Sequence, residues 1–128
     1  MFKKLQKLLD KSYSPYSNIK VSSIIVTTDG KEFKGVNIEN SVYSPTMCAE
    51  RSALCSLITE GYGIGDVEEV HVLSSVIKPL YPCGVCLQSI SEFMNFEKNI
   101  FIYKNDGTVL KHKFKELLPY AVVKESFE

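Results

Sequence analysis

The sequence predicts an α/β protein in which helices cover a mixed five-stranded sheet, and three observations predict it. Segments with helical apolar spacing alternate with short apolar strands in the order α-β-β-α-β-α-β-β, followed by a last short helix. Two strand pairs flank an Asp-Gly turn, the mark of an antiparallel hairpin. The central strand has a helix on either side of it in sequence, which puts helices over at least one face of the sheet. With 128 residues, 45% of them apolar, residues 1–128 form a single domain that buries roughly 65% of its unfolded surface.

Each element has its own signal. Phe2, Leu5, Leu8 and Leu9 recur at helical spacing among lysines, so residues 2–11 read as an amphipathic helix that ends at Ser14-Pro15. Residues 19–27 and 32–38 are strands joined through Thr28-Asp29-Gly30-Lys31. Ser44-Pro45 supplies an N-cap and a first-turn proline for a helix over 47–60, with Met47, Leu54, Leu57 and Ile58 on its apolar face and Gly61 beyond its end. Residues 68–74 form a buried strand. A helix opens near Pro82-Cys83 and runs to about Met94, with Ile90, Phe93 and Met94 on one side. Ile100 to Tyr103, Asn105-Asp106-Gly107 and Thr108 to His112 form a second hairpin, and Phe114, Leu117 and Leu118 a short helix before Pro119.

Composition removes several classes of function. No apolar run exceeds four residues, against about 20 for a bilayer span. Charges at Lys3, Lys4, Lys7, Asp10 and Lys11 interrupt any apolar signal core, so a cytoplasmic location is expected. Fifteen basic side chains balance fifteen acidic ones, which argues against a nucleic-acid surface; Lys111, Lys113 and Lys115 read as a wet strand edge. A small neutral or zwitterionic molecule fits this balance better.

The chemistry concentrates at four cysteines, 48, 55, 83 and 86, which in a cytosolic chain bind metal, catalyse or pack rather than form disulfides. Cys83-Gly84-Val85-Cys86 at a helix mouth admits zinc, redox or packing roles, and its late position after Pro82 disfavours redox. Cys48 and Cys55 are seven residues apart on one predicted helix, ~10.5 Å along its axis. They cannot comfortably share one tetrahedral ion or form a disulfide. One of them is then the third ligand, leaving a fourth position open, as in a catalytic zinc site. Cys48 is favoured because a helix N-terminus stabilises thiolate, and Cys55 is assigned to packing. Glu50, two residues on, is either a solvated first-turn carboxylate or, beside such a site, the proton carrier. His71 and His112 read as strand residues rather than ligands.

Cys48-Ala49-Glu50-Arg51 followed by Pro82-Cys83-Gly84-Val85-Cys86 resembles the zinc-dependent cytidine deaminases. Tyr13-Ser14-Pro15-Tyr16-Ser17, Phe33 to Asn40 and Glu116-Leu117-Leu118-Pro119 resemble the free-nucleoside, three-cysteine branch of that family, in the family's order from about residue 12 to 119. The resemblance implies the family's three-layer α/β/α fold and one Zn²⁺ per chain on Cys48, Cys83 and Cys86. It further implies Glu50 as catalytic proton carrier, Asn37 and Glu39 on the ribose hydroxyls, and the Ala49 backbone N–H toward the pyrimidine.

The activity implied is hydrolytic deamination of cytidine and deoxycytidine to uridine and deoxyuridine with release of ammonia, in pyrimidine salvage, by a homotetramer. The alternatives are a deaminase of another aminopyrimidine nucleoside of the blasticidin type, against which Asn37 and Glu39 argue, and a non-catalytic zinc-stabilised module, against which Glu50 argues. Four departures from the family pattern stand out: Ile19 in place of an aromatic residue, Ser22-Ser23 in place of Gly-Ala, Leu87 in place of an arginine, and Val122 near the place of a C-terminal phenylalanine, with Phe127 further on. With Leu87 lacking charge, either Arg51 alone compensates the three thiolates, or a cation from elsewhere in the fold or a neighbouring subunit does, or the activity profile is shifted to higher pH.

Overall fold

The structure, a computed structural model, describes residues 1–128. Its elements are α1 (Phe2–Leu9), β1 (Val21–Thr27), β2 (Glu32–Val36), α2 (Ala49–Thr59), β3 (Val67–Ser74), α3 (Gly84–Ser91), β4 (Met94–Tyr103), β5 (Val109–Lys113) and α4 (Phe114–Leu117), followed by a 3₁₀ turn at Lys124–Phe127. The sheet order is β2-β1-β3-β4-β5. β1 runs antiparallel to β2 and β3, β3 and β4 are parallel, and β4 and β5 are antiparallel. The single parallel pair follows from α3, which carries the chain across one face between β3 and β4.

Alternation along the strands assigns the two faces. On one face Ile25, Phe33, Val70, Val72, Ile100 and Ile102 pack with Ala53, Leu54 and Leu57 of α2, Leu87 and Ile90 of α3, and Phe114 of α4. On the other, Ile24, Leu73 and Tyr103 close around Leu5 of α1. Helices therefore lie on both faces, the three layers expected. No helix is long and apolar enough to cross a membrane. Gly30 and Gly107 take φ of +88° and +90° in the two hairpin turns, where the sequence put Asp-Gly.

Several element boundaries differ from the sequence reading, and those at the start of α2 and between α3 and β4 have identifiable causes. α2 starts at Ala49, not near Met47, and Ser44-Pro45 is a separate turn, with Thr46 N–H on Tyr43 C=O at 3.0 Å. Met47 and Ile38 exchange both backbone hydrogen bonds at 2.9 Å. That bridge keeps the chain extended up to Cys48, which becomes the N-cap. Likewise α3 ends at Ser91, and Met94 opens β4 opposite Val67. The Phe93 carbonyl takes N–H groups from Gly65 and Val67, which starts the strand early. Met94 is buried, as its spacing from Ile90 suggested, but on a strand.

Gly35 on β2 sets the distance of α2 from the sheet. A Cβ there would meet Ala49 O at 2.3 Å and Ala53 N at 2.4 Å. The first turn of α2 thus rests main chain to main chain on the strand, the close approach that a glycine within a strand marks.

Candidate active site

Cys48 is the N-cap residue of α2 and Cys83 that of α3, both in extended backbone. Cys86 lies in the first turn of α3, and its N–H donates to Cys83 Sγ at 3.4 Å. Two helix N-termini therefore converge, each carrying partial positive charge toward sulfur. The Sγ atoms of Cys48 and Cys83 are 3.9 Å apart and those of Cys83 and Cys86 3.5 Å, with all three within 4.8 Å of one another. A tetrahedral ion with ~2.3 Å Zn–S bonds separates its sulfurs by about 3.8 Å. The three cysteines fit zinc in number, donor type and spacing. Cys55, assigned to packing by sequence, is exposed on α2 and stands outside the group.

Glu50 is buried in the first turn of α2, and its Oε2 lies 3.6 Å from Cys86 Sγ, the thiol donating. Burial, and then the neighbouring Cys48 charge, hold its carboxyl above the usual carboxylate range, against an opposing hydrogen bond from its own backbone N–H. Arg51 Nη2 donates to Cys48 Sγ at 3.5 Å, while Arg51 Nε is buried without a partner. The hydrogen bond from Cys86, then Arg51 and Cys83, draw the Cys48 thiol down to about 5 although burial opposes it. The same bond to Cys48, burial and the charge of Glu50 push Cys86 up. Leu87 points away from any such role: it is buried in the core under the sheet.

A cavity of about 220 Å³ opens beside the cysteines, lined by Asn37, Cys48, Ala49, Glu50 and Cys83 and by the apolar Val21, Met47, Leu80 and Tyr81, with Thr46 at its edge. Thr46 also borders a second cavity of about 420 Å³ lined by Tyr16, Ser17, Glu39, Asn40 and Tyr43. Glu39 accepts backbone N–H groups from Tyr16 at 3.0 Å and Ser17 at 3.1 Å as well as the Ser17 hydroxyl, and that hydroxyl first of all holds its carboxyl below the ordinary range. Asn37 is nearly saturated: Oδ1 takes Val21 N–H at 2.9 Å and the Ser12 hydroxyl, and Nδ2 donates to Ile19 C=O at 2.8 Å. One amide hydrogen of Asn37 is left. His71 lies in β3 and His112 in β5, outside the cysteine group.

Sequence reasoning missed Leu80, Tyr81 and Thr46 as cavity residues, because they sit in loops with no periodic signal. It also gave Gly35 no role, although a glycine amid strand residues was the available sign.

The model of the cytidine and deoxycytidylate deaminase zinc-binding region matches residues 1–103 of this chain. The chain is 37% identical over 118 residues to a cytidine deaminase of Mycoplasma genitalium, covering 92% of this chain and 89% of that protein. It is 34% identical over 120 residues to one of Sporosarcina psychrophila, covering 94% and 87%. A crystal structure of cytidine deaminase from Burkholderia pseudomallei superposes with a TM-score of 0.88 at 36% identity, over 94% of each chain.

Proposed function

The chain belongs to the cytidine and deoxycytidylate deaminase family, and from that premise we propose the residues and the setting in which it works. It is a zinc-dependent hydrolase that deaminates cytidine to uridine with release of ammonia. Cys48, Cys83 and Cys86 hold the ion. Zinc held there would supply Lewis acidity and would make water in the site more acidic.

One observation carries the assignment of Glu50: a buried carboxyl, inside the cavity, in contact with a cysteine of the metal group. Its raised proton affinity suits a group that alternately takes and returns a proton. Glu50 accepts the proton of the attacking water, delivers it to N3 of the pyrimidine, and later serves the departing ammonia. The Ala49 backbone N–H lies next to this carboxyl along the chain and faces the pyrimidine. Glu39 and the free amide hydrogen of Asn37 take the ribose hydroxyls, so deoxycytidine, which lacks only the 2′-hydroxyl, is also accepted. Arg51 offsets the thiolate charge. Pyrimidine salvage in the cytoplasm, by a homotetramer, is the setting we infer; a balanced surface charge supports a small-molecule partner and no nucleic acid or membrane.

Purified protein, with zinc measured on the same sample, is tested for loss of cytidine absorbance and for ammonia. One zinc per chain with ammonia equal to uridine formed supports the reading. Zinc-loaded protein that leaves cytidine intact overturns it in favour of a non-catalytic module or, if a blasticidin-type nucleoside is consumed instead, of the other aminopyrimidine reading.

A further inference from the structure

The loop between β3 and α3 is held at its start and at its end. Asn105 Nδ2 donates to the carbonyls of Ser75 and Val76 at 2.9 and 2.8 Å. Beyond that, residues 77–82 make one hydrogen bond, between Tyr81 OH and His112 Nε2 at 3.2 Å. Yet Leu80 and Tyr81 of this loop form part of the wall of the cavity that contains Glu50. That wall is thus fixed by a side-chain tether rather than by secondary structure.

The tether is itself braced. Tyr81 precedes Pro82, which confines its backbone to the extended region. Its ring meets the His112 ring edge-on, with centroids 5.4 Å apart. His112 Nδ1 lies 3.5 Å from Glu116 Oε2, and Glu116 Oε1 accepts the Lys113 N–H at 3.1 Å, which pins the carboxylate at the start of α4. A carboxylate facing Nδ1 selects the tautomer protonated there, so Nε2 is the acceptor and the Tyr81 hydroxyl the donor.

We propose that Tyr81 is a substrate-positioning residue, its ring anchored by His112 and Glu116 as the aromatic wall against which the pyrimidine nucleoside seats beside Glu50. The inference rests on the deaminase reading. An aromatic face suits a planar base, and a wall held by one hydrogen bond transmits any change at His112 to the substrate.

The test compares wild type with Tyr81→Ala, Tyr81→Phe, His112→Ala and the Tyr81→Phe/His112→Ala double variant. Each is measured for kcat and KM on cytidine, for uridine binding by calorimetry, for zinc content and for thermal midpoint. Loss of the ring in Tyr81→Ala raises KM and the uridine Kd roughly tenfold, the scale of one base–aromatic contact. Tyr81→Phe and His112→Ala each raise both by about threefold, more than they lower kcat, and the double variant is no worse than the single ones because they break one shared interaction. Zinc content stays at one per chain.

An active wild type whose KM and uridine Kd do not move in these variants overturns the role of Tyr81 and leaves the deaminase reading intact, even where the thermal midpoint falls. Additive effects in the double variant overturn the His112 anchor. A zinc-loaded wild type that does not deaminate cytidine overturns both.

Discussion

Glu50 and Cys86 approach within 3.6 Å across two different helices, carboxyl oxygen to sulfur, in a part of the protein that is closed to solvent. The carboxyl reaches this place because α2 begins one residue after Cys48, so that the capping cysteine and the acid share one helical turn. The contact ties the acid to the cysteine group that could hold a metal.

Replacing this acid separates the two. Glu50→Gln keeps the fold and the zinc but lowers turnover by roughly 10²–10⁴-fold, the range for a positioned proton-transfer group. In the metal-free protein the effect on stability has the opposite sign. The Glu50 carboxyl is held above its unfolded value, so the folded form binds the proton more tightly, and stability falls as pH rises from the unfolded carboxyl pKa toward the folded one. Metal-free Glu50→Gln therefore melts higher than metal-free wild type at pH 7.5 and about equally at pH 4. Equal midpoints at both values would show that Glu50 is not strained by burial.

Zinc uptake is expected to release protons. The Cys86 thiol is held protonated by its bond to Cys48 and by burial, and a thiolate is the ligand form. Calorimetric heats of zinc binding at pH 7 then scale with the ionisation enthalpy of the buffer, and affinity rises with pH through neutrality. Cys48→Ala, Cys83→Ala and Cys86→Ala each lose the ion, whereas exposed Cys55→Ala retains it.

Charge around the sulfurs is tunable at residue 51 and not at residue 87. Arg51→Gln removes the donor to Cys48 Sγ and speeds zinc loss to a chelator by roughly tenfold, more than the ~0–1 kcal/mol of an exposed ion pair would give. Leu87→Arg would place an arginine in the core at a position only 5% exposed, and loses roughly 3–5 kcal/mol, the cost of an uncompensated buried charge. Urea unfolding of both variants distinguishes these outcomes. A Leu87→Arg protein of wild-type stability would mean that the side chain escapes the core.

Gly35→Ala tests the seat of α2. With the added carbon at 2.3 Å from Ala49 O, the helix must shift, at a cost of about 3 kcal/mol, the upper range for overpacking. Because Cys48, Glu50 and Arg51 all lie on that first turn, the same change weakens zinc retention and turnover together. Loss of stability with both functions unaltered would show that the strand moves instead.

Much of this is legible in the sequence. The three cysteines, Glu50 and the alternation of elements rest on local signals: ligand spacing, turn chemistry and period. The start of α2 was not, because the Ile38–Met47 bridge that delays it is a contact between segments, and a Ser-Pro pair looks the same whether or not such a bridge forms. Met94 was misplaced because a buried residue four positions after Ile90 satisfies a helix and a strand start equally. Cys55 was read as buried from its residue type alone, yet it falls on the solvent side of α2. The braced tyrosine left no sequence trace, since Tyr81, His112 and Glu116 meet only when β5 and α4 lie against the loop before α3.

The placement of the sulfurs has a topological consequence. Cys48 and Cys83 are 35 residues apart, and β3, the middle strand of five, lies within the stretch of chain that joins them. In a chain whose cysteines are all free, an ion held by these sulfurs would close that stretch, central strand included, into a loop. By the chain-entropy estimate for a cross-link of this length, that closure disfavours the unfolded ensemble by roughly 4 kcal/mol. The clasp cannot shut on a nascent chain until Cys83 and Cys86 have been made, so the first half of the protein waits for the second to be locked.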